Sequence, residues 1–244
     1  MWNRQDLKMR GKMAFKRNYG AAVAVALLMG IISLIFGGGN VTERFQYNGE
    51  GDYVSNGAGS SIVSAPGAVL ITGIATAFVI IMTLVGTLLR ILAENVLIVG
   101  GSRFFILNQT GRPGIGTMID PFKSGYFGNI VLTMFLRDLY ILLWSLLLIV
   151  PGIIKSYEYK MVPYILAENP GMDRKEAFLI SKQMMNGQKW EAFVLDLSFL
   201  GWNILSAFTC GILSLLYVQP YYEATIAEMY TFNKGMAYQK GFIR

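Results

Sequence analysis

The chain alternates long apolar runs with short polar segments that are mostly basic. Ala65–Leu89 contains no charged residue, and Leu139–Val150 extends a run whose only charges are Arg137 and Asp138. About 20 apolar residues are needed to cross the ~30 Å hydrocarbon core, so such runs predict membrane spans. In chain order the expected spans are Gly20–Phe36, Pro66–Leu92, Asn129–Val150, Gly152–Ala167, Trp190–Phe208 and Thr209–Met229.

Charge fixes how these runs connect. Residues 1–18 carry Arg4, Lys8, Arg10, Lys12, Lys16 and Arg17, a basic helix expected on the cytoplasmic side. Residues 37–65 are rich in Gly, Ser and Asn and hold Arg44 as their one basic residue, which suits an external loop. Were Asn129–Val150 unaccompanied, Lys155, Lys160, Arg174, Lys175, Lys182 and Lys189 would all fall outside, against the positive-inside rule. Pro151-Gly152 favours a turn, so a tight hairpin is expected, with Gly152–Ala167 returning inward. At ~24 Å that return is short, and a re-entrant or interfacial helix is its alternative.

Asp173 begins a capping box closed by Glu176, and Ala177, Ile180, Ser181, Met184 and Met185 follow at helical spacing before Gly187. Residues 173–187 therefore read as an amphipathic helix lying on the cytoplasmic membrane face. The expected fold is an all-α polytopic membrane helix bundle. It has about six transmembrane helices as three hairpins, with cytoplasmic amphipathic helices, forming one integral membrane domain over residues 1–244. The location is the cell membrane, multi-pass, with both N- and C-termini cytoplasmic.

Composition supports this class. The 244 residues are 54% hydrophobic and 15% charged, with mean hydropathy +0.46, against about 25% charged residues in soluble domains. The net charge of +6 sits in clusters beside apolar runs, not in a basic groove with interleaved aromatics, so no nucleic acid is expected. Histidine is absent and Cys210 is the lone cysteine, which excludes an intramolecular disulfide, a Cys/His zinc site and a His-based triad. Cys210 lies in an apolar stretch and is expected to pack as a small hydrophobe. No cofactor is implied.

The inward-returning segments end alike. Leu92-Ala93-Glu94-Asn95 recurs as Leu166-Ala167-Glu168-Asn169, with Ile226-Ala227-Glu228 as a weaker copy. Parallel repeats would bring Glu94, Glu168 and Glu228 to similar depth, either as paired structural charges or as a carboxylate cluster for a cation or protons. Arg137 and Asp196 should lie ~10 Å deep and pair, with Asp138 as the local competitor for Arg137. Lys155 and Glu158, three residues apart, can meet on one helical face.

Several segments carry a family resemblance: Met1-Trp2-Asn3-Arg4 with Ala14-Phe15-Lys16-Arg17-Asn18-Tyr19, Thr133-Met134-Phe135-Leu136-Arg137-Asp138-Leu139-Tyr140, Ile149-Val150-Pro151-Gly152-Ile153-Ile154-Lys155-Ser156-Tyr157, Met161-Val162-Pro163-Tyr164, and Lys189-Trp190-Glu191-Ala192-Phe193. Together they resemble the domain-of-unknown-function 975 family of bacterial multi-pass integral membrane proteins. The resemblance implies membrane integration, typically in Gram-positive bacteria, and supplies no catalytic residues.

The expected function is that of a non-enzymatic lipid- or protein-binding membrane factor, of the envelope-maintenance or immunity type. Its partners would be the lipid bilayer, anionic lipid headgroups on the cytoplasmic side and an unidentified membrane protein. The alternative is a small transporter or channel subunit for an ion or small solute. A membrane-embedded hydrolase stands behind both.

Overall fold

The computed structural model describes residues 2–36, with side chains through Met29, residues 77–78, 81–82 and 86, and residues 93–242. The described residues are helical, with no strand among them. In order they form α1 (Arg4–Arg17), α2 (Tyr19–Phe36), α3 (93–107), a 3₁₀ turn (Ile115–Ile119), α4 (Asp120–Lys123), α5 (Phe127–Leu147), α6 (Ile149–Glu158), α7 (Val162–Glu168), α8 (Arg174–Met184), α9 (Lys189–Phe208) and α10 (Gln219–Gln239). The chain divides into two compact units, residues 1–31 with 92–244 and residues 32–91. In the second unit, Phe78, Ile81 and Met82 are helical and exposed. The expected external loop 37–65 lies outside the described residues, as does most of the span Pro66–Leu92.

Helices α5 and α9 are long and apolar enough to cross a membrane, and only 22% of the apolar stretch of either is buried. A core helix of a soluble protein would be mostly covered. They start at Phe127 and Lys189, close to the expected Asn129 and Trp190. Leu148, extended at φ −157° and ψ 139°, turns the chain from α5 into α6. The turn thus falls three residues before Pro151, which sits in the first turn of α6, where its missing N–H costs nothing. Gly152 instead serves the hairpin's closeness, since a Cβ there would lie 2.7 Å from Ser145 Cα.

The expected span Gly152–Ala167 is not one helix. Helix α6 ends at Glu158, Tyr159 to Met161 form a turn, and α7 resumes at Val162. Pro163 explains the break. It cannot donate to the carbonyl of Tyr159 and would clash with it, so it occupies the first turn of a new helix. The last expected span, Thr209–Met229, is also different: a π-helical stretch at Ser214–Val218 leads into α10, which continues to Gln239. Cys210 does not pack as a hydrophobe. It is exposed in the turn after α9, at φ +50°, followed by Gly211 at φ +83°.

The two basic amphipathic helices form as expected, but their apolar faces are covered by protein. Asn3 caps α1, and its buried face is Leu7, Gly11, Ala14 and Phe15. Gly11 allows α1 to lie directly on α10, because a Cβ there would stand 2.8 Å from the Thr225 backbone. Asp173 caps α8 through the Lys175 N–H, worth about 1 kcal/mol. Gly187 at φ +75° follows it. Ala177, Ile180, Ser181 and Met184 are buried in the core shared with α7, α9 and α10. The apolar stripe of α8 is therefore used inside the protein, which corrects the expectation that it rests on lipid. Its exposed face keeps Arg174, Lys175 and Lys182.

Candidate functional site

The charged groups of the apolar hairpins converge on a polar belt at the α6–α7 break. Glu158 is the last residue of α6 and is 5% exposed. Its carboxylate accepts from Lys155 Nζ at 2.5 Å and from Lys189 Nζ at 2.6 Å, so the expected Lys155–Glu158 contact forms and gains a second cation from α9. The Glu158 carbonyl accepts from Ser181 Oγ of α8 at 2.7 Å. Lys155 also lies 5.5 Å above the Trp144 ring.

Beside this triad, Lys160 in the turn donates to both oxygens of Asp196 at 2.8 Å. The Tyr157 and Tyr222 hydroxyls donate to the same carboxylate at 2.8 and 2.9 Å. Asp196 therefore receives four hydrogen bonds, about what a carboxylate can accept. Arg137 does not reach it. The guanidinium instead takes Asp138 Oδ1 at 2.9 and 2.7 Å, and the local competitor wins. An adjacent pair closes without ordering a second helix, whereas the break at Tyr159–Met161 brings a lysine to Asp196.

Glu223, absent from the sequence-derived candidates, extends the network. It accepts from Tyr164 Oη at 3.2 Å and Gln219 Nε2 at 3.0 Å. The one sequence signal for it is its position next to Tyr222, within an otherwise apolar-aromatic run.

Of the echoed glutamates, Glu168 and Glu228 stand in different charge settings. Glu168 pairs with Lys234 and accepts from Tyr230 Oη, each at 2.6 Å. The charges of Arg10 and Arg17 act on Glu228, which lies six residues before Lys234. Arg103, nine residues beyond Glu94, donates to the carbonyl of Ala167 next to Glu168. Among the described residues, no group of three His, Cys, Asp or Glu is placed to hold a metal ion. A cavity of about 340 Å³ is lined by Arg103, Asp120, Lys123, Ser124 and Ala167. Its Arg103 Nε is taken up by Asp120 at 3.2 Å.

Outside the hairpins, Lys8 of α1 donates to Ser198 Oγ at 3.1 Å and lies 4.4 Å above the Phe199 ring. Burial first, and the Arg4 charge second, hold its ammonium below the ordinary lysine range.

These features define an all-helical protein whose apolar hairpins hold Asp138, Glu158 and Asp196 in ion pairs and Glu223 in neutral hydrogen bonds. Residues 146–233, which contain the belt and both hairpin turns, match the family described as Protein of unknown function (DUF975), bearing out the resemblance drawn from the sequence. No curated protein matches the chain, and no solved structure does.

Proposed function

We propose that this chain is a multi-pass membrane protein with both termini cytoplasmic that works by binding lipid or a protein partner, not by turnover. The observation that carries the reading is the closure of its charges. Asp138, Glu158, Glu168 and Asp196 each meet a basic side chain of the same chain at 2.5–2.8 Å. Carboxylates already neutralised and hydrogen-bonded are poor ion ligands or catalytic bases, whereas the same bonds hold a helix bundle together. The open basic faces of α1 (Lys12, Lys16, Arg17) and α8 (Arg174, Lys175, Lys182) suit anionic headgroups. The test is native mass spectrometry of the full chain from membranes of phosphatidylglycerol and phosphatidylcholine. Retained phosphatidylglycerol should fall when Lys12, Lys16, Arg174, Lys175 and Lys182 are changed to Gln. Unchanged retention refutes the lipid-binding role.

A second reading, a small transporter, is favoured by one observation. Lys160 lies in the α6–α7 break and Asp196 is bonded by Tyr222, four residues after the π-helical stretch, and interrupted helices recur at transport sites. Ion flux in proteoliposomes that Asp196→Asn abolishes is its signature.

A further inference from the structure

We infer that the cavity between α3, the 115–124 segment and the end of α7 is the headgroup site of an anionic glycerophospholipid, its phosphate held between Arg103 and Lys123. The inference rests on the lipid-binding reading above and adds a discrete site to the broad basic faces of α1 and α8.

Positive charge at this cavity is unspent. Arg103 donates from Nε to Asp120 at 3.2 Å and from Nη1 to the Ala167 carbonyl at 2.9 Å. Its Nη2 has no acceptor among the described residues. Lys123 lines the same cavity, is exposed, and pairs with no carboxylate among the described residues. Two cations thus face one carboxylate, Asp120, and the surplus suits a singly charged phosphodiester. Asp120 Oδ1 is left to accept a headgroup hydroxyl, as in phosphatidylglycerol. Choline, with neither an N–H nor an O–H, cannot use it.

The walls are fixed by the fold itself. A Cβ at Gly100 would run into the Met118 carbonyl, so the 3₁₀ turn lies directly on α3, within one turn of Arg103. Asn129 of α5 donates to the carbonyls of Pro170 and Met172, both at 2.9 Å, and so holds the segment after α7 that completes the lining. The volume of about 340 Å³ lies within the range of small-ligand sites. A preformed cavity spares its ligand the cost of ordering the donors.

The rim separates a lipid from a free phosphate ester. Ile115, Ile119 and Phe122, four and three residues apart on the segment that forms one wall, are all exposed. Tyr126 and Phe127 extend the patch, the Phe127 ring 5.8 Å from that of Phe122. Asp120 and Lys123 each directly follow one of these apolar residues, so charge and exposed apolar surface alternate along the wall. Acyl chains would cover that rim while the headgroup occupies the charged cavity, whereas a free phosphate ester gains nothing from it.

Native mass spectrometry of the full chain in detergent, titrated with dioctanoyl-phosphatidylglycerol, tests this. The wild-type chain should hold one lipid more tightly than the rest. Lys123→Gln should weaken that first binding about tenfold, the worth of one charge-assisted hydrogen bond. Lys123 bonds to nothing within the fold, so the variant removes charge without removing structure. Lys240→Gln, exposed just after α10, is the charge control and should bind as wild type. Phe122→Ser should weaken the lipid roughly fivefold through the lost rim. First-site affinity unchanged by Lys123→Gln overturns the site. Binding of glycerol phosphate as tight as that of the lipid overturns the lipid assignment, because the acyl chains would then contribute nothing. The broad basic faces fail separately, when the α1 and α8 substitutions leave phosphatidylglycerol retention unchanged.

Discussion

Replacing Lys160 with Met removes the ammonium 2.8 Å from both oxygens of Asp196 and leaves that carboxylate the Tyr157 and Tyr222 hydroxyls. The two side chains are 16% and 28% exposed, so water can restore little of the lost solvation. Stranding one member of a buried pair costs about 3–5 kcal/mol, and the residual exposure puts Lys160→Met near 3. Asp196→Asn alone strands the lysine and should cost a similar amount. The double variant holds no unpaired charge and keeps an amide oxygen for one tyrosine hydroxyl, so it should cost about 1–2 kcal/mol. The double-mutant cycle, read by unfolding of the purified chain in micelles, should then show a coupling of about 4 kcal/mol. Additivity to within about 0.5 kcal/mol would refute the pairing. A parallel cycle of Arg137→Met with Asp196→Asn should be close to additive, because Arg137 is held by Asp138 at 2.7 Å.

Gly11→Val drives a branched side chain into the Thr225 backbone, which cannot move aside as a side chain would. It should cost about 1–3 kcal/mol and free α1 to proteolysis, while wild-type protection of α1 in the variant would refute the close packing. Lys8 gives a pH signature. Its folded-state value lies below the ordinary 10.5, so its cost to stability is full below the folded value and is lost as pH rises through 10.5. The stability of Lys8→Met relative to wild type should therefore decline over that alkaline window, and a flat difference would refute burial of the ammonium.

Much of this arrangement was legible in the sequence where the causes are local. Helix α8 was readable from Asp173 and its apolar spacing, and Lys155–Glu158 from a three-residue separation. The starts of α5 and α9 followed from hydropathy and charge. What escaped depends on contacts between distant segments. Pro151 drew the hairpin turn to itself, although proline is welcome in a helix's first turn and Leu148 makes the bend. Pro163 was the overlooked signal, since it ends α6 and brings Lys160 to Asp196. The partner of Glu168, Lys234, lies on α10, a distance in sequence that no local pattern encodes.

The ion pairs at Asp138, Glu158, Glu168 and Asp196 leave those carboxylates with architectural roles. Ion flux into proteoliposomes of the wild-type chain, driven by a pH gradient or by a potassium diffusion potential, tests this most directly. Rates should equal those of protein-free vesicles, with Asp196→Asn making no difference. Flux well above that background, abolished by Asp196→Asn in a chain that remains folded and inserted, would contradict it and make the belt a transport site.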